Sequence, residues 1–498
     1  MNYADFYNSN SDVYITESNQ IQGWEDYINR IPMLKTGVKV LKKIEKEGGP
    51  KAKAYIVGGA VRDIITGEKE PDDIDIATNL TTDQVEKIFG KSHDIGKNKD
   101  FGIAIITVDG EDMEVATFRT DGTYSDGRRP DSVEIVMDFE TDAGRRDFTI
   151  NAMGVDAEGN VVDYFDGQKD IKNKVIQTVG DPDQRFEEDY IRMLRAVRFG
   201  SRLGFNISDG TMKAIQKLAK NITPKKKKEG ESKEDYAKRA GVAGERIFKE
   251  LKKMAEQEGP KFAEAIKMLD KSGMLQYILP EVAKMKEFEH SVEHHPEGGV
   301  WEHTLAALAS SQVKDPIVNL GILLHDVGKI KTHSIENGMH KYLQHAKAAD
   351  DLIEIISQRF ALDNDSTRKI QFAAANHMKM HDLLKMSNSK IAKLMDDDAF
   401  DILVKVSEAD AKARGKLFDA RGWQSIIDKI GELAEKYKDR NAIEAIKRVV
   451  NGNLVMKIRN LKGGIEVGKI INQTVEWILN NNVDINDTEK IKDYILKI

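Results

Sequence analysis

Asp73 and Asp75 stand two residues apart in "DDIDIAT", inside a short apolar stretch that reads as a β-strand. Side chains along a strand alternate between faces, so both carboxylates project to one side. Like charges held that close repel unless a cation lies between them, and oxygen-only ligands suit Mg²⁺. Upstream, Gly58 and Gly59 end a strand ahead of a short helix that carries Arg62 and Asp63. In that layout backbone N–H groups and a helix N-terminus approach a phosphate. Phosphate beside Mg²⁺ points to a nucleotide; an acidic surface turn is the competing reading of the aspartate pair alone. Glu114, in a later strand, offers the third carboxylate of a two-metal phosphoryl-transfer site, against the plainer alternative of a solvent-facing Glu.

These residues need a scaffold, and the first third of the chain reads as α/β. The pattern predicts an amphipathic helix around Met33 to Lys46, strands at Ala54 to Val57 and Asp73 to Ala77, and a helix capped by Thr81 to Asp83 that runs to Phe89. "GIAIITV" and "MEVATF", joined through Asp109 and Gly110, read as an antiparallel hairpin. From about Asp181 strand signals almost vanish and helical periodicity dominates, so the remainder is expected to be all-α. "TPKKKKEGESKED", Thr223 to Asp235, reads as a solvated loop, although Lys225 to Lys228 could meet a polyanion.

A chain of 498 residues has room for several domains. Its 32% charged and 40% hydrophobic residues are ordinary for a globular protein, and no apolar run approaches the roughly 18 residues that span a bilayer. The chain has no cysteine, which excludes disulfides and thiolate metal sites, and its first 20 residues lack a secretory layout. A cytoplasmic location is the expectation. The net charge of −7 averages over unlike regions: Asp181 to Pro260 holds 19 Lys and Arg against 14 Asp and Glu, a local +5.

The ordered motifs "GGAVRD", "DIDIAT", "EVATFRTDGTYSDGRRPDSVE", "RRDFTINAM", "DYFDGQKDI" and "RFEEDYIRMLRAVRFGSRLGF" resemble those of class II tRNA nucleotidyltransferases, the CCA-adding enzymes and their bacterial poly(A) polymerase relatives, over about residues 31 to 290. The resemblance implies a polymerase-β-like head with a mixed or antiparallel sheet, followed by all-α neck and body. It implies that Asp73 and Asp75 hold Mg²⁺, that an RNA 3′-hydroxyl attacks the α-phosphate of CTP or ATP in line, and that pyrophosphate leaves. Gly58, Gly59 and Arg62 then cradle phosphate, and Arg146, Asp147 and Asn151 contact sugar and triphosphate. Spacing alone puts Asp147 and Asn151 on one helical face, which also suits an ordinary capping or salt-bridging set. The implied partners are the tRNA acceptor stem and 3′ end, with no membrane.

Within "EEDYIRMLR", Asp189 and Arg192 fall three apart, and on a helix they would present an acceptor beside a donor. Cytosine and adenine each show an amino donor beside a ring-nitrogen acceptor, whereas uracil and guanine show a carbonyl beside a ring N–H. The pair therefore suits C and A, and a mismatch leaves buried polar groups unpaired at about 1 to 3 kcal/mol each. A surface ion pair is the bland reading of the same spacing. Glu188, Arg195 and Arg198 extend this face, with Arg195 assigned to base or phosphate. The Gly-rich stretch Thr120 to Ser132 corresponds to the family loop associated with switching from C to A addition, which enzymes that add only the two cytidines lack. Its presence favours the complete CCA reaction, a bland surface loop is the alternative, and the motifs separate a poly(A) polymerase of the same family poorly.

A second set, His303, His325, Asp326, His345, His377 and Asp410, lies along a helical stretch, and imidazole with carboxylate suits divalent metals. Adjacent His and Asp in "ILLHDVGK" are costly to bury unless they coordinate something. This resembles an HD phosphohydrolase domain, including the preceding "HHPEGG". The resemblance implies His303, His325, Asp326 and Asp410 as ligands of Mn, Ni, Co, Fe or Mg, His345 and His377 at a second metal, Lys329 near phosphate, and phosphomonoesterase or 2′,3′-cyclic phosphodiesterase chemistry. A structural cluster without activity is the alternative. The expected division is an N-terminal extension (1–30), head (31–180), RNA-binding neck and body (181–285), HD domain (286–421) and helical tail (422–498). A rival of another class is an HD phosphohydrolase with a regulatory nucleotide-binding head.

Overall fold

The computed structural model describes residues 19–90, 102–122, 124, 132–226, 230–232, 241–290, 297–337, 339–436 and 441–498. Lys227, Lys228, His294, His295, most of the 123–131 stretch and the N-terminal 18 residues lie outside the described residues. The chain divides into two compact units, Met1–Met254 with Glu264–Ile278, and Ala255–Ala263 with Leu279–Ile498.

In the first unit helix α1 (Pro32–Glu47) buries Leu34, Val38, Leu41 and Ile44 along one stripe. The strands are β1 (Ala54–Val57), β2 (Asp75–Thr78), β3 (Ile103–Val108), β4 (Glu111–Thr117), β7 (Gly154–Val155) and β8 (Val161–Val162). They form one sheet in the order β3-β4-β2-β1-β7-β8. The sheet is mixed: β1 and β2 are antiparallel with Val57 opposite Asp75, while β2 and β4 run parallel with Ile76 beside Val115. Alternation gives it two apolar faces. Ile56, Ile74, Ile76, Met113 and Val115 join α1 in the larger core. Val57 and Ala77 face the other way, against Phe118 and Phe139.

The two remaining head strands, β5 (Arg119–Asp121) and β6 (Val133–Ile135), pair antiparallel beside helix α4 (Phe139–Gly144). Helix α2 (Gly59–Thr66) follows β1 directly, and α3 (Thr82–Phe89) opens with a full capping box between Thr81 and Gln84. Beyond the sheet come α5 (Pro182–Glu188), α6 (Ile191–Leu203) and α7 (Gly244–Ala255). The expected helix through "EEDYIRMLR" is broken: Asp189 is extended, at φ −155° and ψ 107°, and its Oδ1 accepts the Ile191 N–H at 3.1 Å. An Asp side chain that bonds its own backbone competes with the helical ladder and starts a new helix instead.

The second unit is mostly helical. The helices that carry the residues discussed below are α8 (Val300–Ser310), α9 (Pro316–Leu324), α10 (His345–Phe360), α11 (Asn364–His381) and α12 (Phe400–Ala413). A hairpin of His333–Glu336 and Met339–Tyr342, which helical periodicity did not signal, precedes α10. Buried residues from Met380 to Ile495 share one apolar core. Among the described residues no helix is long and apolar enough to cross a membrane.

Candidate functional site

β2 begins at Asp75, so Asp73 lies just before the sheet and not in the strand expected over Asp73 to Ala77; Ile74 and Ile76 are each 1% exposed, and Asp73 and Asp75 are both exposed. One step back along the parallel register from Ile76 and Val115, Asp75 comes beside Glu114, which is also exposed between buried Met113 and Val115. Asp73 and Glu114 lie near enough to repel Asp75, but of the three acids only Asp75 lines the cavity described below. Loss of hydration in the cleft, then repulsion from Asp73 and Glu114, raises the Asp75 carboxyl to about 6, and Arg146 only partly offsets this. A cluster of oxygen donors that resists its own ionisation fits a hard divalent cation.

Gly58 joins β1 to α2 at φ +73°, a conformation that favours glycine. A Cβ there would also stand 3.3 Å from Arg146 Nη1 and 3.9 Å from Asp75 Oδ2. Arg146 bonds Asp142 through Nη2 at 3.2 Å, and its buried Nε has no hydrogen-bond partner among the described residues. That guanidinium keeps donors for an anion. Arg62 differs from expectation in its surroundings: it is 4% exposed, donates to Asp63 Oδ1 at 2.9 Å and Asn151 Oδ1 at 2.6 Å, and its guanidinium stacks 4.7 Å above the Phe199 ring.

Asp147 and Asn151 meet at 3.0 Å, but through a 3-10 turn, Thr149–Asn151, and not on an α-helical face. Phe148 is extended, at φ −130° and ψ 148°, and its own N–H bonds the Asp147 carboxylate, which closes off the helical path. Asp147 also accepts from Arg195 Nε at 2.6 Å. Burial pushes this carboxyl up, but Arg195 and the bond from Asn151 outweigh it and hold it at about 2. Because the folded value lies below that of the unfolded chain, the stabilisation is present above about pH 4 and is lost as pH falls through about 2. Asp147→Ala should strand three donors and lower stability by about 2 to 4 kcal/mol, measured by denaturant unfolding at pH 7. An unchanged midpoint contradicts the packing argument.

These side chains line one cavity of about 690 Å³ within the first unit, of a size that accepts a nucleoside triphosphate. Asp75, Gly58 and Arg146 lie on it together with Asp147, Asn151, Asp189, Arg192 and Arg195. Nine Arg and Lys against four Asp and Glu make the lining cationic. Asp189 and Arg192 are thus brought to one cavity despite the broken helix. Arg192 donates to Glu188 and, at 3.1 Å, to the Arg185 carbonyl. Sequence reading missed Arg246, Lys249 and Lys253, although their spacing of three and four along α7 signals one helical face.

In the second unit all six singled-out residues meet. His303, His325 and Asp326; His325, His377 and Asp410; and Asp326, His345 and His377 each form a group whose donor atoms lie within 4.8 Å of one another. The turn after α9 can approach α10 because residue 328 is glycine; a Cβ there would fall 2.0 Å from the His345 carbonyl oxygen. Three rings share a device: the Nδ1 groups of His325, His377 and His345 lie 2.7, 2.7 and 2.9 Å from the carbonyl oxygens of Ile322, Ala374 and Tyr342. Nδ1 must donate to those oxygens, so whenever such a ring is neutral its Nε2 carries the lone pair. His345 Nε2 and His377 Nε2 then face each other at 3.5 Å. Lone pairs opposed at that distance repel without a cation.

His325 Nε2 and Asp326 Oδ1 are buried with no hydrogen bond, although His325 Nε2 lies 3.3 Å from Asp326 Oδ2. Burial and neighbouring His325 lower His377 to about 3, which keeps it neutral. His303 differs: the bonds to Asp410 and Glu297 outweigh burial and raise it to about 9. Lys329 Nζ reaches Asp326 Oδ2 at 2.6 Å and His290 Nε2 at 2.9 Å. His381, Glu297 and His290 were not singled out from sequence. His381 follows His377 by four residues on α11, and its Nε2 lies 2.8 Å from Asp410 Oδ2.

The sheet, the acidic triad at its end and the cationic cavity define a nucleotidyltransferase head followed by a mostly helical remainder. Residues 54–177 match the family described as the poly A polymerase head domain, and residues 240–286 match the probable RNA and SrmB-binding site of polymerase A. The chain is 39% identical over 257 residues to the CCA-adding enzyme of Geobacillus thermodenitrificans, covering 52% of this chain and 57% of that one. It is 52% identical over 164 residues to the CCA-adding enzyme of Bacillus subtilis, covering 33% and 41%. The chain thus spans about half the length of these curated relatives. The crystal structure of the Bacillus stearothermophilus CCA-adding enzyme in complex with CTP shares the fold, with TM-score 0.65 at 23% identity, over 94% of this chain and 98% of that one. Together these matches support the class II CCA-adding enzyme and poly(A) polymerase family.

Proposed function

We propose that this protein adds CCA to tRNA 3′ ends from CTP and ATP without a nucleic-acid template. The observation that carries the reading is the single cavity that holds Asp75 beside Gly58 and Arg146 and also holds Asp189 and Arg192. Asp73 and Asp75 are the residues to hold Mg²⁺, which when bound neutralises phosphate charge and favours an ionised 3′-hydroxyl. Arg146 and the amides at the start of α2 bind the triphosphate, Asp147 and Asn151 brace the wall behind it, and Asp189 with Arg192 meets the base edge. The cationic face of α7 suits the backbone of the RNA end.

Incubating tRNA that lacks its tail with CTP alone, ATP alone and both tests this. Two cytidines from CTP, then one adenosine when ATP is added, is the expected result. Long A tracts from ATP alone make the protein a poly(A) polymerase. Cation binding has its own signature: the raised Asp75 carboxyl costs the metal-free fold stability as pH climbs from about 4 to about 6. Mg²⁺ should therefore raise the melting temperature at pH 8 more than at pH 5. Equal shifts at both pH values count against cation binding at Asp75.

The second unit supports a second reading, a divalent-metal phosphohydrolase, on the inward lone pairs of His325, His345 and His377 beside Asp326 and Asp410. His303, His325, Asp326 and Asp410 would hold one ion and His345 and His377 a second, with Lys329 near a bound phosphate. Phosphomonoesters and 2′,3′-cyclic phosphates at RNA ends are the substrates this reading names.

A further inference from the structure

The two residues proposed to read the base are held differently. Arg192 is tied down by neighbours on its own segment, Glu188 and the Arg185 carbonyl. Asp189 sits in the break between two helices. One oxygen, Oδ1, is taken by the Ile191 N–H at 3.1 Å. The other, Oδ2, accepts Arg246 Nη2 at 2.6 Å from across the cavity. The pair is mostly shielded, with the Asp189 side chain 15% and Arg246 24% exposed, and both residues line the same cavity.

We infer that Arg246 is a specificity-determining positioning residue, which fixes the plane of the Asp189 carboxylate and so decides which base edge the cavity accepts. The inference rests on the proposed reading of Asp189 as base acceptor. With Oδ1 on the backbone and Oδ2 on Arg246, the carboxylate cannot rotate about its Cβ–Cγ bond, and each oxygen keeps a lone pair in one fixed direction. That fixed aim suits an exocyclic amino group and rejects the carbonyl of uracil or guanine. Released from Arg246, the carboxylate can turn away from it.

The test uses the full chain and tRNA lacking its tail, with kcat/KM measured for each of the four nucleoside triphosphates. Arg246→Gln should lower the CTP over UTP preference by about 10- to 100-fold, chiefly through increased relative use of UTP, with the melting temperature measured alongside. Arg246→Lys, which keeps the charge but not the fork, should recover part of the preference. A uniform rise in KM for all four nucleotides with the preference intact overturns the inference and makes Arg246 a phosphate contact. A lowered melting temperature with intact preference also overturns it, and makes the pair structural. Failure of the underlying reading looks different: the unmodified protein would itself show no preference for CTP over UTP.

Discussion

Asp75→Ala should lower incorporation of CMP into tRNA lacking its tail by about a thousandfold or more, since in the proposed reading it removes a cation ligand from the centre on which the reaction's charge develops. The side chain is exposed and repelled by Asp73 and Glu114, so its loss relieves the metal-free fold. A folding defect therefore does not explain the lost activity. Single-turnover assays with radiolabelled CTP measure the effect, and thermal unfolding of the same sample checks the fold. Asp73→Ala should behave alike. Glu114→Gln, at the neighbouring register position, tests whether the third acid acts with the pair. Full activity in Asp75→Ala would remove the basis for placing the chemistry at this end of the sheet.

The second large effect concerns the other unit. His325→Ala should lower affinity for a divalent transition metal by about 100-fold or more, because His325 belongs to two of the three ligand groups. Metal content after dialysis against buffered Mn²⁺ or Ni²⁺ reads this directly. Hydrolysis of a 2′,3′-cyclic nucleotide should fall to background, whereas CMP incorporation should stay within about twofold, since each site has its own charged centre. His325 is 0% exposed, so a less disruptive companion, His325→Gln, keeps the volume. Retention of metal in both variants would leave the cluster a structural feature. Loss of CMP incorporation together with hydrolysis would favour the rival in which the hydrolase is the principal activity.

Much of the head was legible because strands and turns impose strict local rules. Carboxylates at i and i+2 of a strand share a face, and an apolar residue between them ties the opposite face to the core, as Ile74 and Ile76 do, although β2 begins only at Asp75. Gly58 was legible for the same reason, since a left-handed turn between strand and helix admits few other residues. The segment proposed to read the base was not legible in detail. Helical periodicity runs through "EEDYIRMLR" unbroken, yet Asp189 bonds the Ile191 N–H and divides the helix. The family resemblance implies Arg62 as a phosphate ligand, and in the fold Asp63 and Asn151 engage it from two sides, with Asn151 89 residues away. In the second unit residue types identified the metal-like set, while His381 carries no signal until its contact with Asp410 is known, and Glu297 stood in the quoted "HHPEGG" without a role until its contact with His303.

The amino-acid order alone determined the residue types that can hold cations, the alternation of Asp73 and Asp75 with isoleucine, the change from α/β to helical architecture, and the cluster of imidazoles and carboxylates. Those properties are local, set by strand alternation, turn geometry and composition. Only the tertiary structure decided that Asp75 and Asp189 share one cavity, that Arg246 reaches Asp189 across 57 residues, and that three imidazoles turn their free nitrogens inward. Such arrangements depend on packing between distant segments, where burial and paired charges override local propensity.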